Sequence, residues 1–205
     1  MNGFTVLVGA AVPMFEANID TDQLCPRQYL TAIRRVGFGR ALFSDRRWKA
    51  DGSPVADFIL NLPPFAAAAI LVAGDNFGCG SSREHAVWAL SDAGIRCVIA
   101  PSFGDIFLQN TVNSGVLAIR LPAAKVQELA GIAASQPGEP WTVDLPAQTI
   151  AASTGIKVSF EIEPARKERL VRGLDEIDMT LRFRAELESF QARQRVSEPW
   201  LWTGG

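Results

Sequence analysis

The densest run of reactive side chains in this sequence is Gly78-Cys79-Gly80-Ser81-Ser82-Arg83-Glu84-His85. It brings two hydroxyls, a thiol, a guanidinium, a carboxylate and the only histidine of the chain together. A start of a helix in this position offers unpaired backbone N–H groups and the positive end of the helix dipole, which suits an anion. The glycines let backbone approach a ligand closely. Arg83 adds a planar fork for a carboxylate or a phosphate. Ser81 and His85 stand four positions apart, so a serine–histidine pair oriented by Asp75 or Asp92 is one chemistry the spacing permits. A Cys79–His85 thiol pair is another. Neither has supporting context, because no G-x-S-x-G elbow is present and Gly78-x-Gly80 lacks the rest of a dinucleotide fingerprint. A purely structural reading is also open. Ser81 and Glu84 have the spacing of a capping box, and a glycine-rich turn leading into a capped helix needs no function.

Other polar groups stand apart from this run. Asp20 and Asp22 read either as paired acids or metal ligands, or as an Asx-type turn before Pro26. Asn110 and Asn113 are either aimed at a site or ordinary helix-end residues. The arginine pairs 34–35 and 46–47 are expected to be solvated, with binding of an acidic substrate as the alternative.

The elements that must hold these residues follow from periodicity and punctuation. Thr5–Val8 reads as a first strand. The stretch from Tyr29 to Asp57 is basic and glycine-punctuated, and predicts a long loop with short helical turns. Ala69–Ala73 is a short buried strand, the glycine-rich run is a turn, and Ser82–Ala93 is an amphipathic helix closed by Gly94. Cys97–Ala100 follows as another buried strand, so the two strands form a βαβ unit and are parallel. Next come a helix over Phe103–Asn113, a strand over Val116–Ile119 and a helix over Ala123–Ala134. A strand-rich stretch covers Trp141–Val143, Thr149–Ala151 and Val158–Ile162. Pro164–Arg172 is a helix with Gly173 as its cap. Arg184–Arg195 is a final polar helix, and Trp200 and Trp202 sit on a loose tail. The expected organisation is one domain over 1–182, with 183–205 as a C-terminal helix and tail.

Composition narrows the function classes. With 205 residues, 48% hydrophobic and 20% charged, the chain can bury a sizeable core and is not globally disordered. A net charge of −2 argues against nucleic acid or an anionic membrane as the main partner. The apolar run Phe65–Ala73 is nine residues long, against about 20 for a membrane-spanning helix. The first residues carry no basic region, so no signal peptide is expected. Three cysteines without a CxxC pair make a poor disulfide framework and a poor metal site, and a reducing, cytoplasmic setting is expected.

Four blocks taken together carry a resemblance. They are Asn18-Ile19-Asp20-Thr21-Asp22-Gln23, Asp75 through Ala86, Pro101-Ser102-Phe103-Gly104-Asp105-Ile106-Phe107, and Gly173-Leu174-Asp175-Glu176-Ile177. In this order they resemble the small subunits of 3-isopropylmalate dehydratase, in the aconitase superfamily, from about Val6 to Leu181. The resemblance implies an α/β fold, the aconitase-like swivelling β/β/α domain with a mixed sheet and flanking helices. It implies a partner large subunit that carries a [4Fe–4S] cluster on its own cysteines, whose iron takes the departing hydroxyl as a Lewis acid. It implies a small dicarboxylate substrate, with 2-isopropylmalate converted through 2-isopropylmaleate to 3-isopropylmalate in leucine biosynthesis. By the same likeness Ser81 matches the base that takes a proton from the carbon beside a carboxylate. Arg83 matches a substrate-carboxylate ligand, Ser82 its hydrogen-bonding neighbour, and Asp22 the aspartate of the Thr-Asp segment. Thr31 falls in the loop that differs among relatives acting on different side chains. The basic loop and the Trp200/Trp202 tail are candidate partner contacts. The sequence departs from the common pattern at Cys25, Gly104 and Val112–Gly115. Two alternatives are a related 2-alkylmalate, citraconate or dimethylmaleate hydratase, and an anion-binding module without catalysis.

Overall fold

The computed structural model describes residues 3–30, 37–174 and 176–202. Thr31 and the arginine pair 34–35 lie outside the described residues. The strands are β1 (Val6–Met14), β2 (Ile70–Ala73), β3 (Cys97–Ala100), β4 (Leu117–Arg120), β5 (Pro140–Asp144), β6 (Thr149–Ala151) and β7 (Lys157–Ser159). The helices are α1 (Thr21–Leu24), α2 (Ser44–Arg47), α3 (Glu84–Asp92), α4 (Asp105–Asn113), α5 (Ala123–Ser135), α6 (Pro164–Arg172), α7 (Glu176–Leu181) and α8 (Arg184–Ser197). The strands form one sheet in the order β4-β3-β2-β1-β5-β6-β7. The α/β class, the mixed sheet and the flanking helices agree with expectation.

β1 joins the two halves of the sheet. Residues Val6 to Ala10 pair antiparallel with β5, while Ala11 to Met14 pair parallel with β2. Sequence alone predicts only its first residues, because Gly9, Ala10, Ala11 and Pro13 are weak strand formers. Pairing along two different neighbours carries the strand through them. β5 stops pairing at Ala10, so Pro13 sits where that side is an edge and a missing N–H is tolerated.

β2 and β3 are buried at every position, which explains their uninterrupted apolar sequences. Their side chains alternate between two cores. Leu71, Ala73, Val98 and Ala100 face a core shared with Ala86, Val87, Ala89 and Leu90 of α3. Ile70, Val72, Cys97 and Ile99 face a second core with Val126 and Leu129 of α5 and with Trp141 and Val143 of β5. The predicted loop from Tyr29 to Asp57 does contain short helical turns, Phe38–Ala41 and α2, and two more, Arg27–Tyr29 and Ile59–Asn61, lie at its borders. The long segment after α1 is more than a surface loop, since Phe38, Leu42, Phe43, Phe58 and Leu60 are buried in the first core.

The chain divides into two compact units, Met1–Gly173 and Leu174–Gly205. Gly173 ends α6 in the left-handed conformation (φ 66°). The second unit contains α7, which the sequence reading did not separate as a helix, and α8, which has no buried residue. The tail is not wholly irregular. Pro199–Leu201 forms a short 3₁₀ turn, and the Arg195 guanidinium lies 4.5 Å from the centre of the Trp202 ring.

Candidate active site

β1, β2 and β3 run parallel, so their carboxyl ends lie along one edge of the sheet. In open α/β sheets this edge is where ligands bind. Three of the four sequence blocks are the loops that leave these ends, and backbone hydrogen bonds stitch them together. Gly74 N donates to Glu16 O (3.1 Å), Asn18 N to Asp75 O (2.8 Å), Gly78 N to Ile19 O (2.7 Å) and Thr21 N to Cys79 O (2.9 Å). Phe77 N donates to Ser102 O (3.1 Å), and Gly104 N donates to Phe77 O (2.9 Å). Ser102 Oγ donates to Asp75 Oδ1 (2.5 Å) and accepts from Asn76 N (2.9 Å). Asn76 Nδ2 donates to Asn18 Oδ1 (2.8 Å). Two glycines make this closeness possible. A Cβ on Gly78 would run into the Phe107 ring, and one on Gly104 would stand 2.6 Å from Gly78 O. At Gly104 the close approach of the Gly78 turn leaves no room for a side chain.

Ser81, Ser82 and Arg83 emerge from this stitched base. α3 begins at Glu84, later than the sequence predicts, with Arg83 as an extended N-cap residue (φ −130°, ψ 104°) that caps nothing with its side chain. The capping-box reading of Ser81 therefore fails, because Ser81 lies outside the helix altogether. Ser81 and Ser82 are exposed, and the Ser81 hydroxyl has no hydrogen-bond partner among the described residues. Arg83 is well covered, its side chain 11% exposed, and its Nη1 donates to Asp22 Oδ1 in an ion pair. Arg27 Nε lies 3.6 Å from the same oxygen. The hydrogen bond from Arg83, more than any other cause, holds the Asp22 carboxyl below its usual range. The other Arg83 donors bond no described residue and are available to an anion. Asp20 and Asp22 thus divide their roles. Asp20 caps α1 by accepting from Gln23 N (2.8 Å), as an Asx-type turn would, and Asp22 anchors Arg83.

Other expectations resolve differently. His85 packs in an aromatic cluster, its ring 4.5 Å from Trp88 and 5.6 Å from Phe38. Its proposed orienters are engaged elsewhere. Asp75 binds Ser102, and Asp92 Oδ2 accepts from Gly37 N and Gly39 N (3.1 and 2.6 Å). Burial pushes the Cys25 thiol up to about 11 and raises Cys97 further, and burial with nearby Asp20 raises Cys79. None of these is an activated thiolate. Arg46 and Arg47 are not simply solvated. Arg46 forms a two-pronged pair with Glu16 (2.7 and 2.9 Å), and Arg47 Nε donates to Asn61 Oδ1 (2.9 Å). Asn113 is a helix-end residue, accepting from Arg169 Nη2 at 2.7 Å. Among the described residues no group of three or more His, Cys, Asp or Glu is placed to hold a metal ion.

Comparison with known proteins identifies the scaffold. The aconitase C-terminal domain family profile matches residues 1–124, and a second profile, LeuD_N, matches residues 127–164. The 3-isopropylmalate dehydratase small subunit of Afipia carboxidovorans is 49% identical over 98% of this chain and all of its own length. That of Rhodospirillum centenum is 50% identical over 98% of both chains.

The chain belongs to the family of 3-isopropylmalate dehydratase small subunits.

A solved member of that family, the 3-isopropylmalate dehydratase from Methanocaldococcus jannaschii, superposes with a TM-score of 0.65 at 25% identity. The match covers 91% of this chain and 99% of that one. The likeness therefore extends over the sheet and the loops that carry the candidate site. Thr21 is a residue of the site that sequence reading passed over. It is buried, and its Oγ1 donates to the Ser81 carbonyl at 3.2 Å. Nothing in its local sequence singles it out.

Proposed function

We propose that this chain is the small subunit of a hydro-lyase that interconverts 2-isopropylmalate and 3-isopropylmalate through 2-isopropylmaleate, a step of leucine biosynthesis. The observation that carries the reading is identity near one half over the full length of curated small subunits. In this reading a large subunit completes the enzyme and carries the [4Fe–4S] cluster. The described residues of this chain offer no site for a cluster, since the cysteines are dispersed and no ligand group gathers. Its own contribution is a base and an anion fork.

Ser81 is the base in this proposal. It removes a proton from the carbon beside a substrate carboxylate. The C–H electron pair becomes the double bond, and hydroxide leaves from the neighbouring carbon, where the partner's cluster would supply the Lewis acid that takes it. A serine alkoxide is a strong base and needs a preorganised positive field. The start of α3 and the Arg83 guanidinium supply one, and an unoccupied Ser81 hydroxyl is free to face substrate. Arg83 holds a substrate carboxylate with the donors that Asp22 leaves free, and Ser82 adds a hydrogen bond. Asp22 acts by keeping the guanidinium in place. Thr31 is retained as a side-chain-selecting contact on the strength of the resemblance alone. No described helix is long and apolar enough to cross a membrane, and a cytoplasmic location is proposed with the pathway.

The test is anaerobic co-expression with a candidate large subunit. Turnover of 2-isopropylmalate should exceed that of the methyl and dimethyl analogues. Equal or better turnover of those analogues would move the assignment to a related hydratase. Inactivity of every reconstituted complex toward all three substrates would overturn it.

A further inference from the structure

We propose that Thr21 is a positioning residue for Ser81, acting through the backbone of the turn. The proposal rests on the reading of Ser81 as the base. The turn that carries Ser81 has little stiffness of its own, since Gly78 and Gly80 flank Cys79 with φ of 72° and 97°. Such a turn could present the Ser81 hydroxyl in many places. Three bonds from one short segment hold it. Gly78 N donates to Ile19 O (2.7 Å), Thr21 N donates to Cys79 O (2.9 Å), and Thr21 Oγ1 donates to Ser81 O (3.2 Å). Asp20 and Cys79 form a parallel bridge within this clamp. The outermost bond is the side-chain one, and it lands on the residue that carries the base.

Thr21 is built into this place. It is 1% exposed, one of three buried polar residues among those described. A buried hydroxyl needs a partner, and the Ser81 carbonyl provides it. A Cβ on Gly80 would find Thr21 Oγ1 as its nearest atom, at 3.4 Å, so the hydroxyl lies against the turn itself. The next residue, Asp22, anchors Arg83. The α1 segment therefore fixes both the base and the fork, and the two are held at a set separation although they belong to a flexible turn.

The experiment uses the complex assembled with the large subunit, with kcat and KM for 2-isopropylmalate measured per assembled complex. Thr21→Val keeps the shape and removes the donor. It should lower kcat by about ten- to a hundredfold, the effect of a misplacement near 1 Å, with KM changed by less than about threefold. Thr21→Ser keeps the donor and should stay within about threefold of the parent. A double variant, Ser81→Ala with Thr21→Val, should be no slower than Ser81→Ala alone, because Thr21 acts only through that serine. Should the valine variant fail to assemble, Thr21→Cys, a weaker donor of similar size, is read the same way. Undiminished kcat in Thr21→Val, equal losses in the valine and serine variants, or a further loss in the double variant would each overturn the proposal. Full turnover in Ser81→Ala alone reports separately on the base, and would remove both readings.

Discussion

At the scale of single residues the site is a division of labour between charge and orientation. The Arg83 side chain is largely covered, so its position depends on the carboxylate that holds it. Asp22→Asn should leave the fold intact and raise KM for 2-isopropylmalate about tenfold, the equivalent of about 1.4 kcal/mol of lost orientation. Steady-state kinetics on the assembled enzyme checks this. Ser81→Ala should lower kcat by about a thousandfold, in the range of general-base removal, with assembly and circular dichroism unchanged. A pH dependence follows from the same pair. Asp22 is depressed in the folded chain, so its stabilising effect is complete above its unfolded value of about 4. It fades as pH falls through the lower folded value. Urea titrations at pH 6 and pH 3 should show the parent losing more stability on acidification than Asp22→Asn does. Identical losses would show that the pair adds nothing to folding.

At the scale of elements, the close approach of the loops leaving β1, β2 and β3 matters more than any helix. The Gly78 turn meets the start of α4 with no room for a methyl group. Gly104→Ala has ordinary backbone angles (φ −61°), so only crowding against the Gly78–Cys79 backbone resists it. It should cost about 1–3 kcal/mol in chemical denaturation, as overpacking does. Gly78→Ala meets the Phe107 ring and also a left-handed backbone (φ 72°), so it should cost more. Equal stability of both variants and the parent would mean that the loops yield easily and that their stitching does not hold the site. The helix α3 illustrates a further point. Its start at Glu84 leaves Ser81 in the turn rather than in the helix, and that is what frees its hydroxyl.

At the scale of the whole molecule, the first unit holds both cores and every described residue of the proposed site, while the second exposes several large apolar side chains among its charges. Ile177, Phe183, Phe190, Val196, Trp200 and Leu201 are all more than half exposed. A small subunit needs a partner surface, and this unit is the proposed contact. Truncation after Arg195 should weaken assembly with the large subunit by at least tenfold, as loss of aromatic anchors does. The melting temperature of the isolated chain should be almost unchanged, because the removed residues bury nothing in α8. Unaltered assembly, followed by size-exclusion chromatography, would assign the contact elsewhere.

Local chemistry by itself determined the βαβ core of this protein. The apolar runs of β2 and β3, the punctuation at Gly94, and Pro164 with Gly173 around α6 specify their elements through short-range sterics and burial. The same blocks of sequence carried the family. What depended on folding was which oxygen faces what. Asp20 and Asp22 are indistinguishable by type and spacing, and only the arrival of Arg83 and of the α1 backbone gives one an ion pair and the other a cap. Ser81 reads equally as cap and base until the helix start is placed. Arg46 looks solvated until Glu16 meets it. Hydrogen bonds and ion pairs between segments some 60 positions apart depend on distances that the parallel sheet sets, and no local pattern encodes them.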